Sequence, residues 1–186
     1  SQTASGRQPP PAPAAAAAAL SSPPADAPPM IWPTGRGANG HYGWSTMLHA
    51  PFDLKLAWSW HHPKGRFHTL TFGTAIDAQG NIFLSAADAI RKFSPAGELL
   101  WEHATLPASM PDVAALLDGA VYSCDTHGRV FALSMETGRE LWSTKVCDGI
   151  NLDNGFVTAH DGVVLAATDS REGRNRAVRG LNATDG

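Results

Sequence analysis

The hydrophobic pattern of residues 130–142 predicts a strand, a tight turn and a second strand. In residues 130–133, Val and Ala alternate with Phe and Leu, and we interpret this stretch as a half-buried strand. The turn follows at residues 136–138, where Gly138 is the residue type that tolerates a positive φ. Trp142 then ends the unit with the largest apolar side chain available.

Weaker copies of this unit lie on either side of it. Residues 92–101 repeat the strand, the turn and the tryptophan, and residues 180–186 begin a further copy. Trp58, Trp101 and Trp142 are separated by 43 and 41 residues. A repeat of this length is typical of a propeller blade.

A second series of segments has a similar period. Each segment predicts a strand, a turn and a strand: residues 76–84, 114–122 and 157–165. Their turns centre on Gly80, Gly119 and Gly162, at intervals of 39 and 43 residues. Residues 54–60 resemble another strand, and no stretch has a convincing helical period. The sequence therefore predicts an all-β fold, a partial β-propeller of about three four-stranded antiparallel blades.

The N-terminal residues differ in composition from the rest of the chain. Residues 1–29 are a low-complexity arm rich in alanine and proline, with almost nothing to bury. Alone, such an arm is expected to be extended, either disordered or polyproline-like. We expect it to serve as a tether along a partner surface, while residues 30–186 form the propeller domain.

Charge and hydropathy exclude some classes of function. The net charge of −3 argues against a nucleic-acid-binding protein, which normally has a dominant basic face. The longest run of apolar residues, 14–20, is far shorter than the roughly 20 apolar residues that a membrane-spanning helix needs. The sequence leaves the state of Cys124 and Cys147 open between a disulfide, buried apolar residues and reduced thiols.

The repeated unit resembles a known motif. Ala132-x-Ser134-x-x-Thr137-Gly138-x-x-x-Trp142 is similar to the tryptophan-docking motif of the pyrroloquinoline-quinone-like β-propeller repeat. Quinoprotein alcohol dehydrogenases share that repeat with a bacterial outer-membrane assembly lipoprotein. The resemblance covers roughly residues 31–186. In the family, the tryptophan packs between neighbouring blades, and the turn residues form hydrogen bonds around it. The resemblance therefore implies a blade-docking role for Trp58, Trp101, Trp142, Gly97 and Gly138.

The sequence departs from the family at the strand end before each turn. The family usually has aspartate there, whereas this chain has Ser94, Ser134 and Asn182. All three side chains can still form a hydrogen bond with a turn backbone.

The resemblance also raises the question of catalysis. The family's enzymes bind pyrroloquinoline quinone and calcium at the propeller axis, with a vicinal cysteine pair, carboxylate and asparagine ligands and a tryptophan floor. Here the two cysteines are 23 residues apart. The acidic residues lie mostly at turns, where aspartate usually bonds the backbone: Asp77, Asp118, Asp125 and Asp161. We therefore expect no cofactor and favour a protein that is not an enzyme.

An incomplete propeller leaves apolar blade faces without a neighbouring blade to pack against. Propellers usually close with at least four blades, and an open arc would expose the faces that carry Ile76, Val121 and Val164. Either the protein is longer, which we favour, or another chain covers the open side.

Two clusters of polar residues can be interpreted either as ordinary loop residues or as functional sites. His61, His62 and His68 resemble a metal cluster, but adjacent residues of an extended segment point to opposite sides, which favours loop or partner-contact histidines. Arginines crowd one hairpin of the third repeat: Arg171, Arg174, Arg176 and Arg179. They form either a solvated basic loop or a docking site for an acidic partner or a lipid headgroup.

The sequence leads to one functional hypothesis and one rival. The hypothesis is a non-catalytic propeller module, an accessory subunit that binds other proteins of a larger assembly. The assembly is peripheral to a membrane or lies in an extracytoplasmic, periplasmic or organelle-lumen compartment. The rival is a fragment of a pyrroloquinoline-quinone-dependent alcohol or sugar dehydrogenase, which would need the quinone and calcium.

Overall fold

The computed structural model describes residues 55–65, 71–109, 113–150, 156–168 and 177–186. Every regular element within these ranges is a β-strand. The strands are β1 (Thr71–Ile76), β2 (Ile82–Ala86), β3 (Ala89–Phe93), β4 (Leu99–Ala104), β5 (Ala115–Leu117), β6 (Ala120–Cys124), β7 (Arg129–Ser134), β8 (Glu140–Lys145), β9 (Phe156–His160), β10 (Val163–Thr168) and β11 (Ala177–Asn182).

The strands form three antiparallel sheets in which sequence neighbours are also spatial neighbours. Blade 1 contains β1–β4, blade 2 contains β5–β8, and blade 3 contains β9–β11 among the described residues. Each sheet is an up-and-down meander of the kind that makes a propeller blade. The all-β prediction and the prediction of partial propeller blades are confirmed.

Short hairpins join the inner strands of each blade where the sequence predicts turns. Asp118 and Gly119 link β5 to β6 with φ values of 46° and 79°, and Asp161 and Gly162 link β9 to β10 with 48° and 73°. Two consecutive positive φ angles belong to the tight hairpin turn that matches strand twist, for which Asp-Gly is a preferred pair.

The prediction that residues 130–133 form a half-buried strand is wrong, because both faces of β7 are covered. Val130 and Ala132 pack toward blade 3, in the cluster that includes Val157 and Val164. Phe131 and Leu133 pack toward blade 1, in the cluster that includes Phe83. These four central residues of β7 are at most 1% exposed. A blade packed between two others therefore has a core on each side.

The expectation that Val121 and Val164 lie on exposed faces is also wrong. Both are fully buried, since Val121 packs against blade 1 and Val164 packs against blade 2. Ile76 is half-buried. The exposed side of blade 3 instead carries Val163 and Leu165, which are 44% and 41% exposed.

The predicted strand at residues 54–60 is not a strand over its described part. Residues 55–60 are irregular. A strand needs a hydrogen-bonding neighbour, and none of the three described sheets includes this segment. Its side chains nevertheless contact blade 1, since Trp58 and Trp60 both lie against Phe93.

The N-terminal arm, residues 1–29, lies outside the described residues, and so does the beginning of the predicted domain. Among the residues that are described, no helix is long and apolar enough to cross a membrane.

Candidate functional site between the blades

The three tryptophans of the repeat make the same contact in three places. Each indole donates a hydrogen bond to a backbone carbonyl of the following blade. Trp58 Nε1 donates to Pro95 O at 3.0 Å, and Trp101 Nε1 donates to Met135 O at 3.1 Å. Trp142 Nε1 donates to Ala183 O at 3.0 Å. The acceptors follow Ser94, Ser134 and Asn182 directly, so the geometry repeats with the sequence.

A glycine lies under each indole ring. A Cβ atom built on Gly97 would lie 2.6 Å from Trp58 Cδ2, and one on Gly138 would lie 2.8 Å from Trp101 Cδ2. The same atom on Gly186 would lie 2.9 Å from Trp142 Cε3. Real Cβ atoms do not approach carbon this closely, so the indole occupies the space that any side chain would need. These glycines also have positive φ, for example 71° at Gly138.

Other aromatic rings and the turn side chains fix the position of each indole. Trp58 stacks with Phe93 at a centroid distance of 6.0 Å, and Trp101 meets Phe83 at 5.8 Å. Such offset and edge contacts are favourable beyond the area they bury. The strand-end side chains accept hydrogen bonds from turn N–H groups: Ser94 from Glu98 at 3.2 Å, Ser134 from Thr137 at 3.2 Å and Asn182 from Thr184 at 2.8 Å.

A groove of about 760 Å³ crosses the hairpin ends of the three blades. On its floor, Lys92 Nζ donates to Met135 O at 3.0 Å and lies 3.9 Å from Asp77 Oδ2. The lysine therefore joins blade 1 to the carbonyl that Trp101 also binds. Asp118 and Glu136 line the groove and are exposed.

A cluster of charged groups centred on the buried Arg91 lies on the other side of blade 1. Arg91 is 2% exposed, and its Nη1 and Nη2 atoms donate to the two oxygens of Asp88, each at 3.0 Å. Its Nε donates to Glu102 at 2.7 Å, and its guanidinium lies 5.1 Å from the ring centre of Trp60. Bidentate pairing and stacking on an aromatic face are the two contacts for which arginine is best suited.

His62 extends this cluster into the segment that precedes blade 1. His62 Nδ1 accepts a hydrogen bond from the backbone N–H of Lys64 at 3.0 Å. That bond places the proton of the neutral ring on Nε2, which donates to Asp88 Oδ2 at 2.8 Å. The segment is thus held to blade 1 by a buried polar bond as well as by Trp58.

The cluster changes the ionisation of its members. Burial alone would raise the pKa of Asp88, but the hydrogen bonds from Arg91 and His62 lower this pKa from 3.8 to about 2. Burial alone would lower the pKa of Arg91, but its bonds with Asp88 and Glu102 raise it. Asp88 and Arg91 are therefore a stable ion pair rather than a proton-transfer couple near neutral pH.

The carboxylates at the turns are engaged by the backbone. Asp77 Oδ1 accepts hydrogen bonds from the N–H groups of Gln79 and Asn81, at 3.0 and 2.8 Å. Asp125 is fully buried, and its Oδ1 accepts from the N–H groups of His127 and Arg129, at 2.9 and 3.2 Å. Both side chains stabilise the turns that they begin, as the sequence predicts for aspartate at such positions.

The described donors do not fit a quinone and calcium site. Cys124 is buried in the core between blades 2 and 3, Cys147 Sγ faces Gly149 O at 3.4 Å, and no disulfide joins the two cysteines. In the described part of the chain, no group of three or more His, Cys, Asp or Glu side chains is placed to hold a metal ion.

The predicted histidine and arginine clusters are only partly described. His61 is exposed and His62 is buried, as expected for neighbours on an extended segment. Arg179 is exposed on β11. His68 and the remaining arginines of the predicted docking loop, Arg171, Arg174 and Arg176, lie outside the described residues.

Comparison with known proteins places the repeat in a family. The family model described as "Outer membrane protein assembly factor BamB" matches residues 86–186, more than half of the chain. The chain belongs to this family of pyrroloquinoline-quinone-like repeats. No curated protein matches the sequence significantly.

Solved structures with the fold of this family include dehydrogenases. The quinohemoprotein alcohol dehydrogenase from Comamonas testosteroni is 19% identical, with a TM-score of 0.65 over 84% of this chain and 26% of that chain. A europium-containing methanol dehydrogenase is 16% identical, with a TM-score of 0.55 over 70% of this chain and 25% of that chain.

BamB from Moraxella catarrhalis is 19% identical, with a TM-score of 0.49 over 60% of this chain and 33% of that chain. The two dehydrogenases support the fold alone at these identities. The chain spans about a quarter to a third of the length of these three structures.

The sequence did not reveal the charge cluster around the buried Arg91. Asp88 and Arg91 are close in sequence, but His62 and Glu102 are 26 and 14 residues away from Asp88. Their contact depends on how the segment before β1 crosses blade 1. The sequence contained one signal: Trp60 and His62 are two residues apart, which is the spacing that puts two side chains on the same side of an extended segment.

Proposed function

We propose that this chain is a non-catalytic propeller module, an accessory subunit whose blades present a rigid surface to other proteins of a larger assembly. The observation that carries the proposal is the use of the repeat's characteristic residues. Trp58, Trp101 and Trp142 each donate to a carbonyl of the following blade, over a glycine. In this proposal they are blade-docking residues, together with Gly97 and Gly138, and their role is architecture.

The polar groups support the same proposal. Asp77 and Asp125 bond their own turns, and Asp88 and Glu102 pair with Arg91. A catalytic carboxylate needs a lone pair directed at a substrate, and these four acids are all engaged in internal contacts. The family description, an outer-membrane assembly factor, is consistent with a role in assembly and with an extracytoplasmic compartment.

In this proposal, the N-terminal arm and the arginine-rich loop both bind a partner. Residues 1–29 would tether the module along a neighbouring subunit, since their composition favours an extended chain. Arg171, Arg174, Arg176 and Arg179 would bind an acidic surface of a partner, because guanidinium groups pair bidentately with carboxylates.

The experiment compares the full chain with a variant that lacks residues 1–29, each expressed in the source cell in place of the native protein. Native electrophoresis of mild-detergent extracts should show the full chain in a band well above its own mass. Deletion of the arm should move most of the protein to a lower mass without reducing its amount. Equal migration of the two forms as isolated chains would contradict the proposal.

The rival function, a dehydrogenase fragment, is separated from the proposal by cofactor binding. Equilibrium dialysis of the full chain against pyrroloquinoline quinone and calcium should leave the quinone equally distributed. Stoichiometric retention of the quinone would favour the rival and remove the proposal.

A further inference from the structure

The groove across the hairpin ends has a length that suits an extended peptide. Its walls come from three blades, since they include the β1–β2, β5–β6 and β7–β8 turns and the end of β9. Packed sheets lie about 10 Å apart, so two blade spacings give the groove a length of about 20 Å. An extended chain rises about 3.3 Å per residue, and about six residues would therefore span the groove.

Part of the groove's lining is apolar. Leu116 is buried, and Leu117, Met135 and Ala159 are half-buried. Met135 also packs against the core between blades 1 and 2. Methionine side chains adapt to the shape of an apolar partner, so this part of the lining suits aliphatic side chains.

The turns that form the groove are held in place by internal hydrogen bonds. Asp77 accepts bonds from two N–H groups of its own turn and from Asn81 Nδ2 at 2.8 Å. Gly119 O accepts a bond from the backbone N–H of Met135 at 2.8 Å, which ties the β5–β6 turn to the β7–β8 turn. A preformed surface loses little conformational entropy on binding, so a short segment can bind it with measurable affinity.

Among the described residues, the acidic side chains that line the groove outnumber its lysine. Lys92 is already paired, because its Nζ atom donates to a backbone carbonyl at 3.0 Å and lies 3.9 Å from Asp77 Oδ2. Asp118 and Glu136 are exposed, and neither forms an ion pair with a described basic side chain. Burial and the negative charge of Asp118 together raise the pKa of Tyr122, so the field of this carboxylate also reaches blade 2.

The two exposed carboxylates lie close together. Asp118 directly precedes Gly119 and Glu136 directly follows Met135, and Gly119 and Met135 are hydrogen-bonded to each other. Two neighbouring carboxylates favour a cation with several N–H donors, and a guanidinium group has five in a fixed plane.

We propose that this groove binds an extended segment of about six residues from another protein, with a basic side chain, preferably arginine, between Asp118 and Glu136 and apolar side chains against Leu117, Met135 and Ala159. Complementary charge steers such a segment to the groove and selects against acidic segments. The inference rests on the proposed function as an interaction module and names the chemistry of the partner's contact. It uses only the hairpin ends of the three described blades.

The first experiment selects random linear hexapeptides displayed on phage against the immobilised full chain. The selected sequences should share an arginine or a lysine with at least one apolar neighbour. One selected peptide, synthesised with a fluorescent label, then gives a dissociation constant by fluorescence polarisation. A version with glutamate in place of the basic residue should bind at least tenfold more weakly, because it brings a third negative charge to the two carboxylates.

The second experiment titrates the same peptide against the double variant Asp118→Asn, Glu136→Gln. Its affinity should fall about tenfold, because both charges that pair with the peptide are removed while the side chains keep their size. Asn-Gly is a preferred pair at a tight hairpin turn, so Asp118→Asn preserves the turn. The matched control is Glu140→Gln, Asp148→Asn, which removes two exposed charges outside the groove and should leave the affinity unchanged. Circular dichroism checks that both variants remain folded.

No enrichment of peptides, enrichment of sequences without a basic residue, or equal affinity of the groove variant and the control variant would each overturn the proposal. Binding that occurs only after deletion of residues 1–29 would also overturn it, since the chain's own arm, which contains Arg7, would then be the occupant. Failure of peptide binding leaves the proposed function standing, because native electrophoresis measures assembly through the arm separately. Retention of quinone would remove the proposed function without changing the affinity of the groove for the peptide.

Discussion

Substitution of Gly138 by alanine tests the contact between blades most sharply. The new Cβ would lie 2.8 Å from two carbons of the Trp101 ring, Cδ2 and Cε3. The indole cannot retreat without loss of its hydrogen bond to Met135 O. Gly138 also has a φ of 71°, which costs an alanine about 1–2 kcal/mol.

Gly119→Ala is a control that separates the two effects. Gly119 has a similar φ of 79°, but a Cβ atom there would meet nothing within 4 Å. It should therefore lose only the backbone part, about 1–2 kcal/mol of unfolding free energy. Gly138→Ala should lose a further ~1–3 kcal/mol, the usual cost of forcing extra atoms into a packed site.

Urea unfolding of the full chain, followed by tryptophan fluorescence, measures both variants against the unsubstituted protein. With a denaturant dependence of about 2 kcal/mol per molar urea, the extra loss at Gly138 should lower the midpoint by roughly a further 1 M. Equal midpoints for Gly138→Ala and Gly119→Ala would refute the argument, because the indole would then make no contact that matters to stability.

Three other changes have defined outcomes. Trp101→Phe removes one of the two donors to Met135 O, since Lys92 still binds that carbonyl, and loss of this hydrogen bond should cost about 0.5–1.5 kcal/mol in the same urea assay, while a cost near zero would mean that the bond contributes nothing. The lowered pKa of Asp88 stabilises the fold above pH 3.8, and this stabilisation, about 2 kcal/mol, should be lost as the pH falls from 3.8 to about 2. Asp88→Asn should be less stable at neutral pH and should flatten that part of the stability profile. If the stability of Asp88→Asn fell as steeply between pH 3.8 and about 2 as that of the unsubstituted chain, the loss could not be assigned to Asp88. Charge reversal at Arg174 and Arg176 should weaken partner binding in native electrophoresis, and unchanged assembly would assign them to a solvated loop.

The repeat was predictable from the sequence because each of its signals is local. The spacing of Trp58, Trp101 and Trp142 gave the blade period, and the hairpin glycines marked where strands reverse. The residue types of a turn and the position of the tryptophan after it depend on a few adjacent residues, so one copy of the repeated unit is enough to recognise both. The fold class followed directly from these two series.

The burial of the strands was not predictable, because it depends on which blades are neighbours. The alternation in residues 130–133 indicates one solvent-exposed face only when the sheet packs against another layer on one side alone. The blade that contains β7 packs against two neighbouring blades, so the side chains of all four residues 130–133 are buried. Val164 was misassigned for the same reason, since it is buried against blade 2, whereas its neighbour Leu165 is 41% exposed.

The buried ion pair was also beyond the sequence. Arg91 occupies the strand position that Phe131 occupies in blade 2, and nothing local distinguishes a buried arginine from a surface one. Its burial follows from the packing of Trp60 and His62 across blade 1. The contact depends on the path of residues 55–65, which the period alone does not determine.

The central claim, that this family member is an architectural module rather than a quinone enzyme, is tested most directly by a binding titration. Isothermal calorimetry of the full chain with pyrroloquinoline quinone in the presence of calcium should give no saturable heat. Saturable binding with one quinone per chain would contradict the account.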